Sequence, residues 1–349
     1  MLAPTPAELV LRARADLRAG LPVWVDGVLL AAVETVSETR VWGMREEGGP
    51  LVLGLTGRRA ATLRARAYDG DVARVTVPEG ADLAWLRAVA DPADDLRHPM
   101  KGPLLTLREG DAGPWRRGLT LAKEAHLLPA VVGTAMPAPP GITVVAEPSP
   151  VEGQAQPVSA ARVPLAVHDA GRVQVFRMGA EEHVAVEIGR VDRSGPVLAR
   201  LHSACFTGDI LGSLKCDCGP QLHAAMDAMA AEARAGGGGV LLYLAQEGRG
   251  IGLANKMRAY DLQDQGFDTV EANHRLGFED DERDFRIGAA ILRRMGIGAV
   301  RLMTNNPRKI GMMTAQGIAV PERVPLRVGE GPQNSGYLAV KRLKSGHLD

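Results

Sequence analysis

The chain has almost no cysteine: three thiols in 349 residues. A small, odd number excludes a disulfide-stapled fold and fits a protein kept in a reducing cytoplasm. Aromatic residues make up 4%, and the charges cancel, 41 basic against 41 acidic. The basic, aromatic-studded surface of a general nucleic-acid binder is therefore missing. No apolar run is long enough to span a bilayer, and the opening "MLAPTPAELVLRARADLRAG" lacks the apolar core of a signal peptide. Without a global field, an anionic ligand has to be held by a local cluster of cations.

At this length two domains are expected. The Pro-rich stretch "MPAPPGITVVAEPSPVEGQAQP" (136–157) is the expected linker, with "ITVVAE" as a short strand inside it. It separates residues 1–135 from residues 158–349. The first block opens with the helical pattern "PAELVLRARADLRAG" and the strand-like "PVWVDGVLLAAV". In the second, helical stretches ("PQLHAAMDAMAAEARA", "LANKMRAYDLQDQG", "FRIGAAILRRMG") alternate with short apolar runs ("GVLLYLAQ", "AVRLMTN"). The alternation predicts an α/β protein of two domains, each a layered mixed sheet with flanking helices. Leu222, Met226 and Met229 recur at helical spacing and are expected in a core.

What cysteine there is lies in one stretch, "CFTGDILGSLKCDC" (205–218), as C-x10-C-x-C. Turn-forming residues beside Cys205, Cys216 and Cys218 let the thiolates converge, and soft thiolate suits Zn2+. Three cysteines leave a fourth position. It is either a histidine, with His202 and His223 as candidates for a structural site, or open to water, the mark of a catalytic one.

Four other stretches stand out. "LAQEGRGIGLANKMRAY" (244–260) follows an apolar strand, and its glycines allow close backbone approach beside Arg249, Lys256 and Arg258. It matches neither the Walker A pattern nor G-x-G-x-x-G. "MTNNPRKIGMM" (303–313) predicts a strand, a polar turn and a helix starting at proline, with Arg308 and Lys309 in its first turn. Cations there oppose the helix dipole, which an anion between them would offset; a solvated helix start is the plain alternative. "GFEDDERDF" (277–285) is either a solvated charged loop or a carboxylate poised for proton transfer beside a guanidinium. "DLQDQGFDTVEANHRLG" (261–277) offers amides and acids that either read the edge of a heterocycle or satisfy turns. Composition and spacing reach as far as a zinc hydrolase acting on a small phosphorylated ligand.

Taken in order, "HSACFTGDILGSLKCDCGPQL", "QEGRGIGLANKMRAYDLQDQGFDTVEANHRLGFEDDERDF", "MTNNPRK", "ERVPLRVG" and the closing "GHL" resemble GTP cyclohydrolase II, from about Pro164 onward. The resemblance implies conversion of GTP to formate, pyrophosphate and 2,5-diamino-6-ribosylamino-4(3H)-pyrimidinone 5′-phosphate. It implies Cys205, Cys216 and Cys218 as ligands of one Zn2+ per subunit, with water fourth. Asp281 matches the general acid/base. Arg283 matches the residue that takes the α-phosphate, and a phosphate clamp is the conservative version of that role because a guanidinium stays protonated. Tyr260 matches a tyrosine beside the reacting ring. Arg200, Leu201, His202, Ser203, Ala204, Gln221, Glu247, Gly248, Arg249, Thr269, Thr304 and Lys309 match GTP contacts. Mg2+ is expected with the triphosphate, and the family implies a homodimer; the cytoplasm and the lack of nucleic-acid or membrane partners are expected from the cysteine count, the balanced charge and the missing apolar run. One departure stands at Ala204, where many members carry a glutamate before the first zinc cysteine.

Residues 1–135 resemble 3,4-dihydroxy-2-butanone 4-phosphate synthase in outline, but its catalytic pieces are missing. "VWVDGVLL" holds only Asp26 where that family has an acidic loop, and "RRGLTLAKEAH" has no histidine at the corresponding point. Thr134 stands near the position of a metal-binding glutamate. Glu124 and His126 are expected as surface residues of a helix. A degenerate, non-catalytic domain is the expectation. The alternatives are a bifunctional enzyme, opposed by the missing acidic loop, an enzyme that stops at an early product, opposed by Tyr260, and a GTP-binding regulator, which would not need the three cysteines, Asp281 and Arg283 together.

Overall fold

A computed structural model describes residues 3–93, 95–146 and 155–335. The chain divides into two compact units: Met1–Val151 with Ile251–Glu282, and Glu152–Gly250 with Arg283–Asp349. Residues 147–154 of the expected linker and the closing "GHL" lie outside the described residues.

The first unit opens with α1 (Pro6–Arg18), which starts on a Thr5–Glu8 capping box with proline in its first turn. Next come β1 (Val23–Val25) and β2 (Val28–Ala32). They form an antiparallel hairpin, and the turn residues Asp26 and Gly27 both take positive φ, 41° and 90°. Asp-Gly is the dipeptide that tolerates this tight turn. Then follow α2 (Glu38–Gly48), β3 (Val52–Thr56), α3 (Gly57–Thr62), β4 (Val72–Thr76), α4 (Leu83–Ala90), α5 (Gly113–Glu124), β5 (Ala130–Ala135) and β6 (Thr143–Val145). The six strands form one mixed sheet in the order β4-β3-β5-β2-β1-β6. β6, the "ITVVAE" strand, pairs parallel to β1, so this part of the linker is built into the sheet. Every residue of β2 is buried. Leu30 and Ala32 pack in a cluster with α1 and α5, and Leu29 and Ala31 in a cluster with α2 and α4. Helices on both faces explain an unbroken apolar strand. Glu124, the last residue of α5, is exposed as expected. His126 departs from expectation: it lies beyond the helix, half-buried, with φ 58°.

The second unit contains β7 (Gln156–Arg162), β8 (Gly171–Met178), β9 (Glu181–Gly189), β10 (Val197–Ser203), a π-helical turn (Phe206–Ile210), α6 (Cys218–Arg234), β11 (Gly238–Leu244) and a tight turn (Glu247–Gly250). The chain then enters the first unit for α7 (Leu253–Asp264) and α8 (Thr269–Leu276). It returns for α9 (Arg286–Arg294), β12 (Ala299–Met303), α10 (Pro307–Ala315) and β13 (Ala319–Val324). Sequence reading places 251–282 in the second domain, yet the apolar faces of α7 and α8 bury Ala259, Leu262, Ala272 and Leu276 together with Leu128 of the first unit. Amphipathic spacing says that a helix buries one face, not which body receives it.

The second sheet runs β13-β12-β10-β11-β9-β8-β7. β13, β12, β10 and β11 are parallel, and the remainder is antiparallel. β11 and β12 lie on opposite sides of β10, so the winding reverses there. Ligands of open α/β sheets bind outside the carboxyl ends of strands at such a reversal. Met229 is fully buried, with Leu222 and Met226 partly buried in the same cluster. Among the described residues, no helix is long and apolar enough to cross a membrane.

Candidate active site

The carboxyl end of β10 delivers the chain to Cys205, which precedes the π-helical turn, and Cys218 opens α6. The sulfurs of Cys205, Cys216 and Cys218 lie within 4.8 Å of one another. Cys205 Sγ and Cys216 Sγ are 3.7 Å apart; two thiolates on a tetrahedral zinc, each at about 2.3 Å, stand about 3.8 Å apart. Gly208 closes the cradle: a Cβ there would meet Cys216 Sγ at 2.8 Å, Cys205 Sγ at 3.0 Å and Cys218 Cβ at 3.0 Å. The neighbouring Cys205 and Cys216 thiols, and then burial, push the Cys218 thiol well up. Three crowded thiols resist ionising together, and a divalent cation removes that penalty. The residues present thus fit Zn2+. Among the described residues, the only metal-capable group consists of these three cysteines, without His202 or His223. Three protein ligands leave one coordination position free, as catalytic zinc requires.

Asp209 is the residue that sequence reasoning missed. Its carboxylate accepts hydrogen bonds from Cys205 N at 3.0 Å and Tyr243 OH at 2.9 Å, and meets His202 Nε2 at 3.1 Å. The carboxylate is buried, with only 1% of the side chain exposed. Burial, then the Asp209 charge, pushes the Tyr243 hydroxyl up. Burial pulls His202 down in spite of Asp209, and its ring stacks on Tyr243 with centroids 5.6 Å apart. In "FTGDI" the aspartate looks like one more turn former, and no pattern shows that its carboxylate points inward.

Cations gather along the same strand ends. Arg200 is buried, donates from Nη1 to Met303 O at 3.0 Å, and donates from Nη2 to Gln221, whose amide donates to Asp217. Burial lowers Arg200 to about 10, so it stays charged at neutral pH. Lys309, in the first turn of α10, turns inward and donates to Leu201 O at 2.9 Å. The Lys309 ammonium and the Arg283 guanidinium stand 5.2 and 5.0 Å from the Phe285 ring centre. Thr304 is buried, and its hydroxyl accepts from Asn306 N at 3.0 Å. Leu201 places its side chain in the core, leaving its backbone for polar contact. Ala204 N donates to Leu244 O at 2.8 Å. Any residue except proline can make that bond.

At the end of β11, Glu247 accepts from Phe206 N at 2.6 Å and Gly248 N at 3.0 Å. Gly248 and Arg249 both take left-handed backbone, φ 63° and 62°. For arginine this costs about 1–2 kcal/mol, strain of a kind that gathers at functional turns. Among the described residues, three buried polar atoms at the end of β10 lack a hydrogen-bond partner, Arg200 Nε, His202 Nδ1 and Ser203 Oγ, on three of the last four residues of the strand. Buried unsatisfied groups are rare, and such a concentration fits a polar ligand.

Tyr260, Thr269 and Asp281 belong to the first unit, while the other expected site residues belong to the second. Tyr260 lies on α7, its ring centre 5.7 Å from Lys256 Nζ. Thr269 opens α8, and its hydroxyl accepts from Gln263 Nε2 at 3.4 Å. Asp281 follows α8, in a strip with Glu279, Asp280 and Glu282.

Residues 156–325 match the family model for GTP cyclohydrolase II. The GTP cyclohydrolase-2 of Azotobacter vinelandii is 61% identical over 48% of this chain and 79% of its own length. The GTP cyclohydrolase-2 of Azospirillum brasilense is 39% identical over 98% of this chain and 90% of its own, and so spans the N-terminal residues as well. Among solved structures, RibBX, a two domain 3,4-dihydroxy-2-butanone 4-phosphate synthase from A. baumannii, is 15% identical over 91% of this chain and 99% of its own. Its TM-score of 0.29 is too low to carry weight. On the full-length relative and the matched residues, the chain belongs to the GTP cyclohydrolase II family.

Proposed function

We propose that this chain hydrolyses GTP to formate, pyrophosphate and 2,5-diamino-6-ribosylamino-4(3H)-pyrimidinone 5′-phosphate, the family's opening step of riboflavin biosynthesis. The observation that carries the proposal is the convergence of three cysteine sulfurs around Gly208, at the end of the strand that holds three unsatisfied buried polar atoms. Cys205, Cys216 and Cys218 would hold one Zn2+ per subunit, which would supply Lewis-acid activation of the water that attacks C8 of the guanine ring. Hydrolysis breaks both bonds from C8 to ring nitrogens, and the carbon leaves as formate. Asp281 moves protons to and from those nitrogens as the bonds break. Tyr260 orients the opening ring.

The polyphosphate needs cations. Arg283 clamps the α-phosphate while pyrophosphate leaves, and Lys309 stands at the same Phe285 ring. Arg200, Gln221, Glu247, Gly248, Arg249, Thr269 and Thr304 hold the rest of the nucleotide, together with the backbone of Leu201 to Ala204. Mg2+ accompanies the triphosphate, whose charge these side chains offset only in part. The working form is a cytoplasmic homodimer, and residues 1–135 contribute no synthase chemistry.

The test is incubation of the purified, zinc-loaded chain with GTP and Mg2+, following formate, pyrophosphate and pyrimidine absorbance together. All three products are expected in equal amounts. Pyrophosphate without formate overturns the proposal in favour of a truncated reaction, and GTP binding without products overturns it in favour of a regulator.

A further inference from the structure

The three acids that surround Asp281 are each held by a basic side chain, and two of those come from the N-terminal residues. Arg58 of α3 grips Glu279 along one edge of its guanidinium, Nη2 donating to Oε2 at 2.7 Å and Nε to Oε2 at 3.0 Å. Lys123 of α5 donates to Glu282 Oε1 at 2.6 Å, and the same oxygen accepts Glu279 N at 2.8 Å. His274 of α8 pairs with Asp280 at 2.7 Å.

The ground under the strip is fitted as closely. Phe278 is fully buried, with Lys123 Nζ 5.8 Å from its ring centre. Gly277 has φ 91°, and a Cβ there would meet Thr56 Oγ1 at 2.8 Å and Pro129 Cγ at 2.9 Å. Gly252, with φ 85°, approaches His126 so closely that a Cβ would stand 2.7 Å from the His126 Cβ. On α7, Arg258 bridges Asp91 and Glu34, each at 3.1 Å, and the buried Asn255 donates to His126 O at 3.1 Å.

From this arrangement we propose that the N-terminal residues serve GTP hydrolysis as a platform, with Arg58 and Lys123 as positioning residues for Asp281. The proposal rests on the role given to Asp281 above. Neither side chain is asked to touch substrate. Each fixes a carboxylate within two positions of Asp281, and so fixes the main chain that aims it. The pairs are partly exposed, so their worth lies in geometry more than in stability. Misplacing a reacting group by an ångström costs on the order of a hundredfold in rate.

The test uses the full zinc-loaded chain with Arg58→Ala, Lys123→Ala, both together, and the conservative pair Arg58→Lys with Lys123→Arg. Each is also made in an Asp281→Asn background. Formate release is measured over a range of GTP, with zinc content and a thermal melt. The double alanine variant is expected to lose about tenfold to a hundredfold in kcat, with KM changed by less than about twofold. Zinc content and melting temperature stay near wild type, the conservative pair recovers most of the rate, and the alanines cost nothing further once Asp281 is Asn. An unchanged kcat, a loss that follows zinc content or melting, or a full further loss in the Asp281→Asn background overturns the proposal. Wild-type kcat in Asp281→Asn alone overturns both this proposal and the role of Asp281. An inactive Asp281→Asn beside a fully active double alanine variant overturns the platform alone.

Discussion

The loop that carries the cysteines and the strip that carries Asp281 are both short, polar and rich in turns, yet they are held by opposite means. The loop is fixed from inside. Asp209, buried, ties Cys205 N and Tyr243 OH to one carboxylate, and Gly208 leaves no room for a side chain between the sulfurs. The strip is fixed from outside, by ion pairs such as Arg58–Glu279, whose side chains are 45% and 53% exposed. A buried carboxylate that loses its partners costs about 1–3 kcal/mol, whereas an exposed pair is worth less than about 1 kcal/mol. The cysteine loop therefore owes its shape to buried groups, and the Asp281 strip owes its shape to partly exposed ion pairs whose worth lies in geometry.

The strongest way to break this contrast is Cys216→Ser. It removes one of three ligands, and the expected outcome is loss of both bound zinc and formate release, checked by metal analysis and product assay. Gly208→Ala comes next. The added methyl forces the sulfurs apart and is expected to cost about 1–3 kcal/mol, together with zinc stoichiometry, read by a melt and metal analysis. Asp209→Asn keeps the shape and removes the charge. It is expected to weaken zinc binding by about 10- to 100-fold, measured by competition with a chelator.

Smaller effects sharpen the same contrast. His183 on β9 is buried and accepts Ala245 N at 3.1 Å, so it is held neutral, and burial lowers it below its ordinary 6.5 despite Glu181. The folded state resists a proton that the unfolded chain accepts. This contribution is complete above pH 6.5 and fades as pH falls through the folded value. The melting temperature is expected to drop between about pH 7 and 5, and His183→Asn, which cannot titrate, flattens that slope. The smallest effect belongs to Arg58→Ala in a melt. The Arg58 hydrogen bonds hold the half-exposed Glu279 carboxyl below its ordinary 4.5, so their contribution is present above that pH and lost on acidification below it. The expected change is under about 1 kcal/mol and shrinks further in high salt.

Much of the second unit is legible in its residues. The crowding of three cysteines into one loop announces a metal, and "TNNP" before two cations announces the start of α10, capped by Asn306. Ala204 is explained only by its backbone, since its N–H to Leu244 O does not depend on the side chain. Asp209 is illegible because a Gly-Asp turn looks the same whether its carboxylate faces water or a buried tyrosine. The destination of 251–282 is illegible for a similar reason: its apolar spacing defines a face, while the partners that receive it, Leu128, Thr56 and Pro129, are far away in the chain. Asp26–Gly27 shows the reverse case, where a dipeptide alone specifies a hairpin turn.

The most direct measurement is zinc content and formate release on the same preparations of the wild-type chain and Cys216→Ser, with GTP binding measured alongside. One zinc per chain and formate from the wild type, with zinc and formate both lost from a variant that still binds GTP, is the predicted result. Formate from a zinc-free variant, or a zinc-loaded wild type that binds GTP and releases none, contradicts a catalytic metal in this cradle.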